Sequence, residues 1–294
     1  MLSILIPVYN WDVVDLVSAL HDQCVRSGID FEIRCYEDGS TRAWREKNYG
    51  LRSQDGVVYR VFEENIGRAA IRNRLAEDAT QPFLLFLDCD SGLPDDQFIA
   101  RYLENTVQGG ILYGGRIYDS KPPENKKCRL HWQYGQRRET AGASERQQFP
   151  YHRFMTNNFL IPRLVFGQVR FEERLKQYGH EDTLFGQQLQ EHGIPIIHLD
   201  NPVIHRGLEE ADIFLEKNRQ AMENLCLLAA VYPKLQTQLL TTVAHLRLWN
   251  LKGLALIVLR GIFPLLKRNL LSSHPQLKAL DLFKLYYFLH YDQQ

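Results

Sequence analysis

A short apolar run that ends in two carboxylates is the feature that most constrains this chain. Residues 83–87 are all apolar, turn-forming residues bound the run, and Asp88 and Asp90 follow it. Such a run is typical of a strand buried on both faces. Because strand side chains alternate, we expect Asp88 and Asp90 on one face at the strand's carboxyl end, where open α/β sheets bind ligands. An acidic triplet also occurs in solvated surface turns, but its place after a buried strand favours a ligand site.

The rest of the N-terminal half alternates predicted strands and helices. Apolar runs at 2–10, 31–36 and 57–62 indicate three more strands. Apolar residues at helical spacing follow the first run, and residues 65–73 open a second helix before the acidic strand. This alternation predicts a parallel α/β sheet with right-handed crossovers.

Several motifs together resemble glycosyltransferase family 2. They are Pro-Val-Tyr-Asn at 7–10, Glu-Asp-Gly-Ser at 37–40, Asn-x-Gly…Arg-Asn at 65–73, Leu-Asp-x-Asp at 87–90, Gly-His-Glu-Asp at 179–182, and His205. The resemblance covers residues 1–210, and the combination is far more specific than any single motif.

The resemblance implies the GT-A fold, an α/β architecture with a mostly parallel, Rossmann-like sheet flanked by helices. We expect a glycosyltransferase domain over 1–210, with a nucleotide-binding half at 1–115 and an acceptor half at 116–210. A helical extension is expected over 211–294. The implied reaction is inverting transfer of a sugar from a nucleotide diphosphate, expected to be a UDP-sugar, by single in-line displacement. The expected acceptor is a saccharide or a lipid-linked acceptor, as in polysaccharide biosynthesis.

The family pattern predicts that four residues bind the nucleotide base. Pro7 and Tyr9 would line its pocket, Asp38 would hydrogen-bond the base, and Arg68 would pack near it. An ordinary core aromatic is the alternative for Tyr9, and a turn residue is the alternative for Asp38, since Asp-Gly favours tight turns. Glu37 departs from the family, which more often has Asp there.

The same pattern predicts a metal site. It assigns Asp90 as a ligand of a divalent metal and His205 as the second protein ligand of that metal. Asp88 would chiefly bind the ribose or the donor sugar. Mn²⁺ suits an imidazole beside a carboxylate somewhat better than Mg²⁺ does, because imidazole is the softer ligand. The alternative for His205 is a hydrogen-bonded histidine at a strand end.

The general base is assigned to Asp182 by the same resemblance, with Glu181 nearby as a possible acceptor-binding group. Both acids lie in the first turn of a predicted helix, where acids are commonly simple caps. An inverting transferase nevertheless needs one carboxylate to take the acceptor proton. The segment Thr156-Asn157-Asn158, with Asn157 as its site residue, is expected under the donor sugar by family analogy.

A long polar segment from Lys121 to Pro150 predicts a loop on the acceptor side. It is basic and contains aromatic residues, so a lid over the donor is one interpretation. A solvated disordered loop without a ligand role is the other.

Composition limits the alternatives. Thirty-five basic residues balance 35 acidic ones, so nucleic acid is not the implied partner. Five scattered cysteines favour reduced thiols and a cytoplasmic setting, and the start of the chain has no leader pattern. The chain lacks the Gly-rich motifs of sugar-nucleotide pyrophosphorylases and dinucleotide oxidoreductases. A non-catalytic sugar-binding scaffold with the same fold stays open.

The C-terminal tail is basic and apolar. From Leu240 onward, the sequence contains seven basic residues and only two acidic ones. If 252–267 is helical, Lys252, Arg260 and Lys267 fall within about 80° on the helical wheel, opposite a broad apolar face. We expect either a peripheral membrane contact, in which Arg268 would also take part, or a helical subdomain that packs on the transferase core.

Overall fold

The computed structural model describes residues 1–106, 109–174 and 179–292. The chain divides into two compact units. The first unit comprises Met1–Tyr118, Thr140–Lys176 and Glu181–Gly207, and the second comprises Asp119–Glu139, Gln177–His180 and Leu208–Gln294.

The first unit is built on two sheets. Their strands are β1 Leu2–Val8, β2 Phe31–Asp38, β3 Val57–Phe62, β4 Phe83–Leu87, β5 Ser91–Gly92, β6 Ile111–Tyr113, β7 Arg116–Ile117, β8 Asn158–Pro162, β9 Ile196–His198 and β10 Val203–His205. Seven strands form the main sheet in the order β3-β2-β1-β4-β8-β6-β9, and β5-β10-β7 form a small one. All neighbours in the main sheet are parallel except β8, which runs antiparallel to β4 and β6.

The helices complete both units. They are α1 Val14–Arg26, α2 Arg42–Asn48, α3 Arg68–Asp78, α4 Phe98–Glu104, α5 Arg129–Tyr134, α6 Ala143–Gln147, α7 Arg163–Phe166, α8 Glu181–Glu191, α9 Ala211–Val231, α10 Gln238–Leu248, α11 Lys252–Leu270 and α12 Leu277–Tyr291. Short 3₁₀ helices lie at Tyr49–Ser53 and Lys126–Cys128, and a π-helical turn at Gly135–Glu139.

Strand β4 is buried on both faces, as its sequence predicts. Leu84 and Phe86 belong to one hydrophobic cluster, while Leu85 and Leu87 belong to another. All four side chains are at most 1% exposed. The apolar run therefore joins two cores across the main sheet.

The acidic end of this strand differs from the expectation. β4 ends at Leu87, and Asp88–Ser91 form a turn in which the Ser91 amide donates to the Asp88 carbonyl at 3.2 Å. Asp88 and Asp90 are therefore not alternate residues of one strand, and their carboxylates have different partners.

The segment predicted as a loop at 121–150 contains α5, α6 and the π-helical turn, so the prediction of a long loop is wrong. Cys128, Leu130 and Arg146 are buried within it. Buried side chains in short helices also rule out the solvated disordered loop. The isolated apolar residues of this segment give too weak a period to predict helices.

The second unit is helical, as expected for the C-terminal extension. Its core contains Leu130 from α5, Phe214 and Leu215 from α9, and residues of α11 and α12. α11 continues through Pro264. Among the described helices, none alone is long and apolar enough to cross a membrane. Taken together, α10 and α11 are long and apolar enough to do so by length and composition only, but the two helices are bent by 119° relative to each other.

Candidate active site

The carboxyl end of β2 is tied to the loop that precedes α3. Asp38 accepts hydrogen bonds from the amides of Ile66 at 2.7 Å and Gly67 at 3.2 Å. Burial raises the pKa of Asp38, and these two amides oppose that shift. Gly39 has a φ of 73°, and a Cβ there would lie 2.5 Å from the Asn65 nitrogen, so only glycine fits.

Tyr9 is 55% exposed, which excludes the ordinary core aromatic. Its backbone hydrogen-bonds the thiol of Cys89, so Tyr9 lies beside the Asp88–Ser91 turn. Pro7, two residues earlier on β1, is partly buried.

Glu37, where the family more often has Asp, has a structural role. Its carboxylate is fully buried and accepts from Asn48 at 2.7 Å, Tyr59 at 3.0 Å and the Ser40 hydroxyl. These contacts join β2, α2 and β3. Because Glu37 points into this buried cluster, Asp38 is the one of the two acids that faces the α3 loop.

Asp88 is held between two arginines. Arg72 lies 2.7 Å from Asp88 Oδ1, and Arg116 lies 3.1 Å from Oδ2. Arg72 is only 4% exposed, so its charge is well shielded from solvent. The Asp88 amide also donates to the Asn157 carbonyl at 3.0 Å. The first aspartate of the motif is thus fixed in position by contacts from α3, β7 and the start of β8.

Asp90 and His205 lie side by side, with His205 Nδ1 3.4 Å from Asp90 Oδ2. The pairing follows from the small sheet, in which His205 is opposite Ser91. Burial opposes ionisation of Asp90, but His205, Arg116 and Arg68 outweigh it and hold the Asp90 pKa well below its ordinary value.

This pair fits a divalent cation. Asp90 Oδ1 is buried, and no described residue donates a hydrogen bond to it. A buried carboxylate oxygen beside an imidazole is a suitable donor set for Mn²⁺ or Mg²⁺. Within the described ranges no cluster of three or more acidic, histidine or cysteine side chains could hold a metal.

Glu181 and Asp182 open α8, and their environments push their pKa values apart. Burial and the adjacent Glu181 charge raise the pKa of Asp182 to about 6, although a 2.6 Å hydrogen bond from the Thr156 hydroxyl opposes the shift. Burial also acts on Glu181, but Arg68, 3.3 Å away, and Arg72 outweigh it and lower the Glu181 pKa. A pair of acids with opposite shifts is typical of acid–base sites.

Asn157 is buried next to these groups. Its Nδ2 atom has no hydrogen-bond partner among the described residues, and a buried amide nitrogen left without an acceptor is costly. An acceptor oxygen from a ligand would satisfy it.

The structure therefore joins most of the predicted residues in one network within the first unit. Arg68 pairs with Glu181 and Arg72 with Asp88, and Arg72 also donates to the Arg68 carbonyl. Arg116 pairs with Asp88 and acts on Asp90, which lies beside His205. Three further residues complete this network. Arg72 shares a helix face with Arg68 by its spacing of four, and Thr156 precedes Asn157 in the segment expected under the donor sugar. Arg116 was not predicted, since it has no distinctive sequence signal.

Residues 3–170 match the family model described as Glycosyl transferase family 2, so the chain belongs to that family. A validoxylamine A glucosyltransferase of Streptomyces hygroscopicus subsp. limoneus is 29% identical over 224 residues, covering 67% of this chain and 49% of that protein. A protein of the same name from subsp. jinggangensis (strain 5008) is also 29% identical over 224 residues, which are 67% of this chain and 53% of that protein. The chain spans about half the length of these curated relatives.

Solved structures confirm the GT-A fold. The mannosyltransferase PcManGT from Pyrobaculum calidifontis, in complex with GDP-Man and Mn²⁺, superposes with a TM-score of 0.61 at 13% identity, covering 98% of this chain and 85% of that one. S. aureus TarS 1-349 in complex with UDP-GlcNAc gives a TM-score of 0.51 at 17% identity, covering 74% and 64%. At these identities the likeness concerns the fold alone.

Proposed function

We propose that this protein is a metal-dependent inverting glycosyltransferase that moves a sugar from a nucleotide diphosphate, a UDP-sugar, to a saccharide or lipid-linked acceptor. Polysaccharide assembly is the process this reaction would serve. The observation that supports it most is Asp182, a carboxylate with a raised pKa that Thr156 fixes in the same network as Asp88.

Asp182 acts as the general base in this proposal. A pKa of about 6 is close to the working pH, where a carboxylate can still be ionised and bind a proton effectively. Asp182 takes the proton of the acceptor hydroxyl while that oxygen attacks the anomeric carbon. The bond from that carbon to the diphosphate oxygen breaks on the opposite side, so the configuration inverts. Glu181, anchored by Arg68, positions the acceptor.

The donor nucleotide lies at the carboxyl ends of β1 and β2. Pro7 and the exposed ring of Tyr9 contact the base, and Asp38, with lone pairs still available, accepts from a base N–H. Arg68 packs near the base at the start of α3. Asp88, already oriented by its arginines, binds the ribose or the sugar.

Asn157 Nδ2 donates to an oxygen of the donor sugar, which satisfies the buried amide described above.

Asp90 and His205 would hold Mn²⁺ or Mg²⁺. A bound divalent ion supplies positive charge that offsets the charge developing on the diphosphate leaving group. The buried Asp90 oxygen without a donor supports this assignment.

The alternative is a non-catalytic scaffold that binds a nucleotide sugar. Incubation with UDP-glucose, UDP-GlcNAc and GDP-mannose, each with Mn²⁺ or with EDTA, separates the two. Metal-dependent release of the nucleotide diphosphate supports the transferase. Binding of a nucleotide sugar by calorimetry, with no release in the presence of candidate acceptors, supports the scaffold. UDP-glucose is the first donor to test, because the two curated relatives are named glucosyltransferases.

We also infer a cytoplasmic location, for which the five free cysteines are the support, and peripheral contact of the C-terminal helices with the membrane. A lipid-linked acceptor would require such contact.

A further inference from the structure

The connection between α10 and α11 exposes large apolar side chains. Leu248 is 78% exposed, Trp249 71% and Leu251 43%, in a turn where the two helices bend by 119°. Asn250 has a φ of 55° there, a left-handed conformation that asparagine tolerates better than most residues. The bend therefore presents these three apolar side chains to solvent.

The exposed surface continues along α11. Leu254, Ile257, Val258 and Leu265 are 53–71% exposed and lie on one side of the helix by their spacing of three, four and seven residues. The helix packs through a different side, which includes Leu259, Leu266 and Leu270. We call the seven exposed residues the apolar corner; they are Leu248, Trp249, Leu251, Leu254, Ile257, Val258 and Leu265.

Positive charge borders the apolar corner. Arg260, Lys267 and Arg268 are exposed, and no carboxylate among the described residues forms an ion pair with them. No acidic residue occurs anywhere between Leu240 and Leu280. Lys252, expected to contribute, instead pairs with Asp292 at 2.5 Å and is only 25% exposed.

We propose that the apolar corner is a docking surface for an anionic lipid bilayer, which deepens the peripheral contact proposed above by naming the lipid chemistry and the residues. Exposed apolar residues bordered by unneutralised cations are typical of interfacial helices, and tryptophan favours the headgroup level. A second copy of this chain fits less well, because the same three cations would face one another. A span is disfavoured by Arg260 in the middle of α11.

Co-sedimentation with vesicles of phosphatidylcholine, with and without phosphatidylglycerol, tests this inference. The wild-type protein should bind the anionic vesicles more tightly, and binding should fall as salt rises, because the Debye length shrinks to about 3 Å at 1 M. Each basic residue contributes about 1 kcal/mol near such a surface, or about fivefold in affinity. Arg260→Glu/Lys267→Glu/Arg268→Glu should therefore weaken binding by at least about 100-fold.

A second variant tests the apolar side chains of the corner, and the charge variant and the apolar variant each have a matched control. Trp249→Ser/Ile257→Ser should weaken binding by about tenfold or more per side chain, with little change in salt dependence. Arg42→Glu/Lys47→Glu/Arg52→Glu and Tyr49→Ser/Leu164→Ser change exposed residues of the first unit in the same way. Both control variants should bind like the wild type.

Absence of vesicle binding by the wild type overturns the proposal, as does equal binding by the corner variants and their controls. A dimer in analytical ultracentrifugation that the corner variants lose, without vesicle binding, assigns the surface to a second copy instead. Donor turnover with a water-soluble acceptor should be unchanged in the corner variants. Failure of the membrane inference is thus distinguishable from failure of the proposed transferase.

Discussion

At the scale of single residues, Asp182 is the proposed general base, and its substitution tests the proposed transfer reaction. Asp182→Asn keeps the shape and removes the base, so we expect donor binding close to wild type and a rate of transfer about 10²- to 10⁴-fold lower. Initial rates of nucleotide release at saturating acceptor measure this, with calorimetry for donor affinity. Retention of more than about a tenth of the activity would assign the base elsewhere, with Glu181 next.

The raised pKa of Asp182 also has a consequence for stability. Between its ordinary pKa of about 3.9 and its folded value of about 6, the folded protein keeps a proton that the unfolded chain has lost. The stabilisation is fully present below about pH 4 and is lost as pH rises through 6. Asp182→Asn should therefore gain stability relative to wild type between pH 4 and 7, by roughly 1–3 kcal/mol.

Thermal unfolding across that pH range measures the difference, and Glu181→Gln is the matched control. The pKa of Glu181 is lowered, so its stabilisation is present above its ordinary value and lost as pH falls. Glu181→Gln should be less stable than wild type at pH 7 and approach it in acid. The same sign for both variants would contradict the opposite pKa shifts.

Thr156 positions the proposed base through its 2.6 Å hydrogen bond. In Thr156→Val the hydroxyl is lost and the shape kept, so we expect transfer to slow by about 10- to 100-fold, since hydrogen bonds to charged groups contribute about 1.5–3 kcal/mol. The acid limb of the pH–rate profile should also move to higher pH, because the donor that lowers the Asp182 pKa is gone. Thr156→Ser should restore both. A slower rate with an unmoved acid limb would indicate a packing role only.

These residues also show how far the sequence alone can go. Asp38, Asp90, Glu181 and Asp182 were predicted because the family motifs include them. The buried cluster around Glu37 was not predictable, since its partners Asn48 and Tyr59 come from separate elements. Contacts formed between distant parts of the chain have no local pattern.

At the scale of elements, the site depends on how the small sheet brings β10 beside the turn after β4. A Cβ at Gly207 would lie 2.1 Å from Asp90 Oδ2, so the chain after His205 passes directly against the carboxylate. The sequence predicted β4 correctly, but the prediction continued the strand to Asp90. The apolar pattern of residues 83–87 shows where burial ends. The Asp88–Ser91 turn depends on a backbone hydrogen bond, which that pattern does not encode.

If the proposed metal site is correct, Asp90→Ala and His205→Ala should each weaken Mn²⁺-dependent UDP binding by about tenfold or more, because each removes a proposed metal ligand. Titration calorimetry with Mn²⁺ and with EDTA measures the effect. His192→Ala, which changes an exposed histidine in the turn directly after α8, is the control and should bind like the wild type. Equal UDP affinity of the wild-type protein in Mn²⁺ and in EDTA would refute both metal ligands.

At the scale of the whole molecule, the two compact units are not separated by a single boundary in the sequence. Sequence composition predicts a boundary near 210, because the helical tail begins there, and composition cannot reveal that an earlier segment belongs with the tail. Asp119–Glu139 belongs to the second unit. Within that unit, Leu130 is 1% exposed in the core shared with α9, α11 and α12, and His131 stacks on Phe214 with ring centroids 4.5 Å apart.

A truncation after residue 210 should therefore leave a poorly folded protein. It would expose Leu130 and remove Phe214 from His131, and returning one buried leucine to water costs about 1.5–3 kcal/mol. We expect a lower melting temperature and early proteolysis between 119 and 139. Removal of 119–139 from the same truncation, with a short Gly-Ser linker, should recover much of the lost stability because the exposed apolar surface goes with it. A truncated chain that melts like the full protein would show that residues 1–210 form an independent domain.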